Sequence, residues 1–201
     1  MRLIGAATFA ALLTVPAVGA GSAGGSAASG GPVKFLTGPA AGSPLDIGLA
    51  YLKAHKQSFG LTGSDLADVV VSDRYTDART GTTHIYLQQR YQGIDVYNGI
   101  TDINVAKDGS IINVGNRFVS NLAAAVNSSS AGHGAKQGVR DAAKGLGLDL
   151  KQELKVEQAK GGPAQETVFN RAGISLQSIP VRLVYVPTGS AVRLAWNVTI
   201  Y

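Results

Sequence analysis

Three histidines and thirteen acidic residues are the side chains of this 201-residue chain that could bind a metal or move a proton. The histidines are His55, His84 and His133, and their spacing matches neither a His-Glu-x-x-His helix nor another zinc-ligand pattern. We expect each of them to be an ordinary surface or strand-edge residue. The sequence therefore predicts no metal site and no cofactor in this chain.

The acidic residues show no sign of a catalytic pair, which would need two carboxyl groups facing each other across a cleft. Asp46, Asp65, Asp77 and Asp108 fall in predicted turns and helix caps. Asp73 and Asp77 share one stretch, but their spacing is not that of a calcium-binding EF-hand. The sequence also has no cysteine, no Gly-x-Ser-x-Gly nucleophile motif and no phosphate-binding loop. We predict no catalytic residue, so these 201 residues are not expected to be an enzyme.

The charge of the chain is basic but dispersed. Eighteen Lys and Arg against thirteen Asp and Glu give a formal net charge of +5, and no run of five basic residues occurs. Nucleic-acid binding depends on clustered positive charge. We therefore predict no nucleic-acid partner and interpret the charge as a source of solubility with a weak pull toward acidic partners.

The first twenty residues resemble a secretory signal peptide. Arg2 supplies a short positive region, residues 3–15 are apolar but too short to span a bilayer, and small residues precede a cleavage site after Ala20. A buried N-terminal helix is the alternative. Residues 21–42 are rich in Gly, Ala and Ser and are expected to form a flexible leader. The sequence thus predicts a secreted protein without a membrane span.

The next stretch predicts a helix followed by a small antiparallel sheet. Ser43 is a suitable N-cap for a helix over residues 44–58, and Gly60 can end it. A strand is predicted over residues 68–75. From Thr83 onward, apolar and polar residues alternate, with Ile85, Leu87, Gln89 and Tyr91 on one face. A strand over residues 100–106, a turn at 107–110 and a returning strand to residue 118 complete the expected sheet.

The last third of the chain repeats this arrangement. Residues 121–135 read as a linker, and Val139, Ala142, Ala143 and Leu146 have helical spacing before Gly147. Short strands are expected over residues 151–156 and 167–169, and a hairpin over 181–201 turns at 187–190. The apolar strand ending at residue 201 suggests that more polypeptide follows, although a natural terminus is the alternative. The fold class is therefore α+β, with two small domains, each an antiparallel sheet with a covering helix.

One segment carries a family resemblance. The run from Gln89 to residue 97, then 102–105 and the turn at 107–111, resembles the fungalysin/thermolysin propeptide (FTP) domain over residues 43–120. In this pattern Gly93 allows a tight turn between strands, and the next apolar residues return to the core. The family-motif residues in this segment are Gln89, Tyr91, Gly93, Ile94, Val96, Asp108 and Gly109.

Residues 136–201 are similar to the PepSY-like module that follows the FTP domain in pro-regions of fungalysin-type (M36) zinc metallopeptidases, with Trp196 in its hairpin. The resemblance implies cystatin-like and PepSY-like folds and a zymogen. The pro-region would inhibit the peptidase, help it fold and then be cleaved away. Zinc is expected only in a catalytic domain outside this chain, and that domain is the expected partner. The module is expected to be truncated at its C-terminal end.

The resemblance also suggests where the partner docks. We expect the face bearing Tyr86, Arg90 and Tyr97 to take part, together with sheet edges near residues 118 and 201. The alternative is that these aromatic side chains pack on the core of their own domain. A stand-alone secreted peptidase inhibitor and a non-enzymatic extracellular binding module are the competing functions.

Overall fold

The computed structural model describes residues 2–5, 35–189 and 191–201 and has an α+β fold. Most strand pairs of its nine-stranded sheet are antiparallel, as the sequence predicts. The path through the sheet is β1-β9-β8-β4-β3-β2, with β5 beside β4, β7 beside β8 and β6 beside β7. The strands are β1 (Arg2–Gly5), β2 (Val69–Thr76), β3 (Thr83–Tyr91), β4 (Ile94–Val105), β5 (Ile111–Asn116), β6 (Val156–Gly161), β7 (Glu166–Phe169), β8 (Ile179–Thr188) and β9 (Ala191–Thr199).

The first helix, α1 (Pro44–Ala54), begins where the sequence predicts. The Ser43 hydroxyl oxygen accepts a hydrogen bond from the Asp46 backbone N–H at 3.1 Å, which satisfies one free donor of the first turn. The helix ends four residues before the predicted residue 58. The chain tightens there into a 3-10 turn over Lys56–Phe59 and is closed by Gly60, whose φ is 69°.

The alternation predicted for β3 is confirmed. Ile85 and Leu87 are fully buried and pack with Ile103 of β4 and Leu52 of α1 in one hydrophobic cluster. Helix α1 covers this face of β3 and β4. Residues of β3 with even numbers point to the other face and are half-buried.

Strand β4 begins at residue 94, six positions before the predicted residue 100. The Gln92-Gly93 pair is a two-residue hairpin loop with φ values of 51° and 78°, and Tyr91 pairs directly with Ile94. The break in the sequence pattern is therefore a turn between two adjacent strands. The early part of β4 also pairs in parallel with β8, through Val96 and Tyr185. Strand β4 thus belongs to both halves of the sheet.

The predicted linker over residues 121–135 contains a short helix, α2 (Leu122–Ala125). Leu122 is 2% exposed and belongs to the second hydrophobic cluster. Val126 then forms a bridge with Val192 of β9. This stretch therefore packs on the second half of the sheet.

Helix α3 (Ala135–Gly145) confirms the predicted helical spacing, since Val139, Ala142 and Ala143 are all buried. It packs on β9 in the second cluster, which Phe169, Leu183, Tyr185 and Trp196 also form. The hairpin of β8 and β9 is confirmed as well. The strand predicted over residues 151–156 is wrong, because residues 151–155 form a loop in which Leu154 is buried, and β6 begins only at residue 156.

The end of the predicted leader lies against the first half of the sheet. The Leu36 N–H donates to the Ile111 carbonyl at 2.8 Å, and the Ile111 N–H donates to the Thr37 hydroxyl at 2.9 Å. The Ala40 N–H donates to the Asp108 carbonyl at 3.1 Å. The two bonds to Ile111 occupy backbone groups at the start of β5, which pairs only with β4 among the described strands, and so protect a sheet edge.

Only the backbone of residues 2–5 is described before residue 35, and it lies antiparallel to β9 with Leu3 opposite Val198. The predicted cleavage site at Ala20 and most of the predicted leader lie outside the described residues. In the part of the chain that the structure describes, no helix has the length and apolar character needed to cross a membrane.

Helix α3 approaches β9 closely because residue 138 has no side chain. A Cβ on Gly138 would lie 2.7 Å from Cγ of Trp196. We expect Gly138→Ala to lower the free energy of unfolding by about 1–3 kcal/mol, because the indole or the helix must move. Gly145→Ala in the same helix is the control, since nothing lies within 4 Å of its added methyl group. Equal stability of the two variants in urea unfolding would contradict this packing.

Candidate docking face

The three histidines lie apart and have different neighbours. His84 Nδ1 is 2.6 Å from Oδ1 of Asn104, and His133 Nε2 is 3.5 Å from a carboxylate oxygen of Asp141. His55 lies at the end of α1. Among the described residues, no three His, Asp or Glu side chains come close enough together to hold a metal ion.

Two acidic side chains close turns. The Ser110 backbone N–H donates to Oδ1 of Asp108 at 2.9 Å, and this bond holds the pKa of the carboxyl group below its ordinary value. Gly109 beside it has a φ of 85°, a backbone conformation that favours glycine. Bonds from Thr80, the backbone N–H first, lower the pKa of Asp77 in the same way. These carboxylates stabilise loops.

Gln89, a family-motif residue, is a fully buried polar side chain at the junction of two segments. Its Oε1 accepts from the Val119 N–H at 2.8 Å, and its Nε2 donates to the carbonyls of Val119 at 3.0 Å and Asp65 at 3.3 Å. The side chain thus satisfies backbone groups of Asp65 and Val119, which both lie outside the strands. Gln89 therefore fixes the segment that leaves β5 for the second half of the chain.

The turn between β3 and β4 needs the glycine that the motif supplies. The Gly93 N–H donates to Oδ2 of Asp68 at 2.8 Å, and a Cβ on this residue would lie 2.9 Å from Cγ of Pro163. Ile94 and Val96 follow and are buried in the second hydrophobic cluster. The motif thus carries the chain from the first cluster to the second.

Two aromatic motif residues also pack in the second cluster. Tyr91 meets Tyr185 edge-to-face, with ring centroids 5.7 Å apart. The Trp196 indole N–H donates to the His133 carbonyl at 3.0 Å. Both aromatic motif residues therefore make packing contacts within this chain.

The residues predicted for docking share the face opposite α1. Tyr86 and Arg90 lie on the half-buried side of β3, and Arg90 is directly opposite Asp95 of β4. Tyr97 is two positions after Asp95, so strand alternation places it on this face too. The Arg90 guanidinium is held by Asp68 at 2.7 Å. Tyr86 lies in the part of β3 that pairs with β2. Tyr97 directly follows Val96, the residue of β4 that pairs with Tyr185 of β8.

A row of charged side chains crosses the junction of the two halves. After the pair of Asp68 and Arg90, Asp95 on β4 contacts Arg182 on β8 with an N–O distance of 2.6 Å. Negative and positive groups therefore alternate over neighbouring strands. This arrangement supports the observed pairing of β4 with β8, because like charges at these positions would repel.

The structure brings residues to Tyr86 that the sequence analysis did not include. The Tyr75 ring stacks on His84 at 4.7 Å and lies 6.3 Å from the ring of Tyr86. Asp73 of β2 and Asp102 of β4 are the direct strand neighbours of Tyr86. Strand β2 gives no alternation signal for Asp73 and Tyr75, because all of its residues from Val71 onward are exposed. Their register also depends on an irregularity between residues 71 and 73 that the sequence does not mark.

Comparisons with known proteins find the same segment. Residues 67–118 match the family model described as the Fungalysin/Thermolysin Propeptide Motif, which confirms the resemblance for the first half of the chain. Extracellular metalloproteinase MEP of Leptosphaeria maculans is 32% identical over 131 residues, which are 64% of this chain and 20% of that relative. Extracellular metalloproteinase 10 of Coccidioides posadasii is 31% identical over 130 residues, covering 64% of this chain and 20% of the relative.

A longer match reaches further along the chain. Extracellular metalloproteinase 2 of Phaeosphaeria nodorum is 27% identical over 175 residues, 83% of this chain and 27% of that relative. The chain thus spans between a fifth and about a quarter of the length of these relatives. Residues 67–118 carry the fungalysin/thermolysin propeptide motif, and the chain around them is similar to part of fungal extracellular metalloproteinases.

Proposed function

We propose that this chain is the pro-region of a secreted zinc metallopeptidase and acts as its inhibitor and folding chaperone. The propeptide motif at residues 67–118 is the observation that carries the proposal. The names of the similar proteins and the small share of each that the chain covers support it. The catalytic domain and its zinc would lie outside these residues.

The proposal includes the organisation expected from the sequence. A signal peptide over residues 1–20 is removed after Ala20, and an FTP-like domain over 43–120 precedes a PepSY-like module over 136–201. The propeptide-motif match within 43–120 supports the first of these domains. Two separate hydrophobic clusters, one under α1 and one under α3, support a division into two modules.

A pro-region of this kind acts as a ligand of the native enzyme. Any molecule that binds the folded state and not the unfolded state stabilises the folded state by mass action. The same binding blocks the peptidase if it covers the approach to its active site. The proposed contact face is the one bearing Tyr86, Arg90 and Tyr97.

The experiment begins with the coding sequence downstream of Tyr201 and continues with the protein. We expect an in-frame catalytic domain with a His-Glu-x-x-His motif. The purified chain should inhibit casein hydrolysis by that domain at micromolar concentration or below and raise the yield of its refolding. A secreted serine peptidase is the control and should keep its activity.

Two results bear on the alternatives. Inhibition of secreted metallopeptidases by a chain with a stop codon just after residue 201 would favour a stand-alone inhibitor. Absence of both a downstream catalytic domain and any inhibition would overturn the proposal. To test the contact face, the double variant Tyr86→Ala/Tyr97→Ala should weaken inhibition of the catalytic domain. The variant Arg90→Lys should preserve the positive charge that faces Asp68.

A further inference from the structure

The sheet formed by β2, β3, β4 and β5 has one open face. Helix α1 covers the side that holds Ile85 and Leu87. On the other side, the half-buried positions of β3 and β4 alternate with the core residues, and no described helix packs against them. An open sheet face that carries large aromatic side chains is a candidate interaction surface.

Three aromatic rings form a layer on this face, which we call the aromatic patch: Tyr75, His84 and Tyr86. The planes of Tyr75 and His84 are 23° apart, and those of Tyr75 and Tyr86 are 21° apart. Tyr75 is 50% exposed. The rings therefore form a partly exposed aromatic stack, with Tyr75 as its most open member.

Two carboxylates border the aromatic patch on opposite sides. Asp73 and Asp102 are the direct neighbours of Tyr86 on β2 and β4. A hydrogen bond with Tyr75 is the main cause that raises the pKa of Tyr86, and burial and the charges of Asp102 and Asp73 add to the shift. The strand pairing thus places both carboxylates beside Tyr86.

Asp102 is positioned for an external partner. Its carboxylate lies over Gly115 of β5, where a Cβ would collide with Oδ1. Within the described residues, Asp102 makes no hydrogen bond and no ion pair. Asp73 uses Oδ1 to accept from the Arg74 backbone N–H at 2.8 Å. The absent side chain at residue 115 leaves the space that Asp102 fills.

The patch has the chemistry of a site for a basic side chain. A guanidinium or ammonium group is attracted to aromatic faces and forms strong hydrogen bonds with carboxylates. Arginine suits the patch best, because its planar group can stack on a ring while its edge reaches an acid. Two cations lie on this face: Arg90 is held by Asp68, and Arg117, two positions after the Gly115 that pairs with Asp102, makes no ion pair with Asp102 among the described residues.

Two negative groups lie beside Tyr86 in a chain that is basic as a whole. The chain has a net charge of +5, yet the direct strand neighbours of Tyr86 on both sides are the carboxylates of Asp73 and Asp102. A phosphate-rich surface would be repelled here, whereas a basic protruding residue would be attracted. The complementarity therefore selects a positively charged protein surface.

We propose that the aromatic patch, with Asp73 and Asp102, binds an exposed arginine or lysine side chain on the metallopeptidase catalytic domain. This inference rests on the proposed function for the identity of the partner. It also moves the centre of the contact face from Arg90 and Tyr97 to the neighbourhood of Tyr86. The charged residue of the partner enters between the two carboxylates and stacks on the rings.

The first experiment is independent of any peptidase. N-acetyl-arginine amide is titrated into the full chain while NMR signals of Tyr75, His84 and Tyr86 are followed. We expect shifts at millimolar concentration that weaken in 0.5 M NaCl, as screening requires. N-acetyl-glutamine amide, which is uncharged, should produce no NMR shifts. The Asp73→Asn/Asp102→Asn double variant should lose the response, whereas Glu157→Gln on exposed β6 should keep it.

The second experiment measures inhibition of the catalytic domain by the same variants. We expect Asp102→Asn to raise the inhibition constant at least about tenfold, which corresponds to about 1.4 kcal/mol, and Glu157→Gln to leave it unchanged. If the wild-type chain binds arginine but does not inhibit the catalytic domain, the patch is still a binding site for a basic side chain, and the proposed function is rejected. Inhibition that is unchanged in the double variant would overturn the patch as the docking site.

A second copy of this chain is the competing occupant, because it also carries basic side chains. Sedimentation equilibrium of the wild type and the double variant separates the two cases. A monomer in both agrees with the proposal. Self-association of the wild type that disappears in the Asp73→Asn/Asp102→Asn variant would replace the metallopeptidase by a second copy as the partner and overturn the proposal.

Discussion

Gln89→Leu is expected to lower the free energy of unfolding by about 2–4 kcal/mol, because a buried hydrogen-bonding hub is removed. Leucine has a similar volume, so the loss would come from polar groups and not from a cavity. The N–H and C=O of Val119 and the C=O of Asp65 would lose their side-chain partner. Urea unfolding followed by the fluorescence of Trp196, the only tryptophan of the chain, measures the effect.

Gln158→Leu is the matched control, since this glutamine also lies on a strand but is exposed. Its free energy of unfolding should stay within about 0.5 kcal/mol of the wild type. The Gln89→Leu curve should shift its midpoint without a change of slope if both halves unfold together. Similar losses in the two variants would show that the buried network contributes little.

The place of Gln89 gives this stability a functional meaning. Val119 lies between β5 and α2, where the chain passes from the first hydrophobic cluster to the second. The hub therefore fixes the direction in which the second half begins. A pro-region that inhibits with surfaces from both halves would depend on this junction.

Local patterns were sufficient to predict much of the fold. The alternation in β3 identified Ile85 and Leu87 as core residues, and the Asp108-Gly109 pair identified a turn. Ser43 identified the start of α1 through its capping hydrogen bond. In each case the deciding interaction involves residues close in sequence, so the sequence pattern carries it.

Pairings between distant segments could not be predicted in this way. Strand β4 joins both halves because Val96 pairs with Tyr185, and no local pattern reports a partner 89 positions away. The burial of Ile94 in the second cluster follows from that pairing. Alternation places Gln89 on one face with Ile85 and Leu87, but its role depends on Val119, which lies in another segment.

The candidate site was predicted in part for the same reason. Tyr86 and Arg90 share one strand, so alternation places them on one face. Tyr75 and Asp102 reach that face only through the register of β2 and β4 with β3. The pairing of β2 with β3 contains an irregularity in β2. One extra residue there reverses the side of the sheet to which the later residues of β2 point. The role of these residues in docking stays a prediction.

Asp65→Asn is expected to lower the free energy of unfolding by about 2–4 kcal/mol at pH 7, for a reason that also predicts its pH dependence. The Asp65 carboxylate is 2% exposed. It accepts bonds from the Thr62 N–H and hydroxyl, both at 2.8 Å, and from the backbone N–H groups of Asn121 at 3.0 Å and Leu122 at 2.8 Å. An asparagine has an NH2 group in place of one carboxylate oxygen. Its two hydrogens would face some of these donors, which would then lose their acceptor.

The same bonds determine how the pKa of Asp65 shifts on folding. Burial raises this pKa, but the bonds from Thr62, Leu122 and Asn121 outweigh burial and hold it below the ordinary value of 3.8. A carboxyl group with a lower pKa in the folded state stabilises the fold above its unfolded pKa. That stabilisation is lost as the pH falls through the folded pKa. The wild-type advantage over Asp65→Asn should therefore be constant above about pH 5 and shrink below about pH 4.

Unfolding free energies measured from pH 7 to pH 2 test this directly, with Asp149→Asn as an exposed control. The asparagine at residue 65 does not titrate, so subtracting its curve isolates the Asp65 carboxylate from other acid-sensitive groups. A difference that stays constant down to pH 2 would mean that the carboxylate charge is not what the four bonds stabilise. A difference that shrinks in acid would identify Asp65 as the charged cap that ties residues 121 and 122, and with them the start of α2, to the first half of the chain.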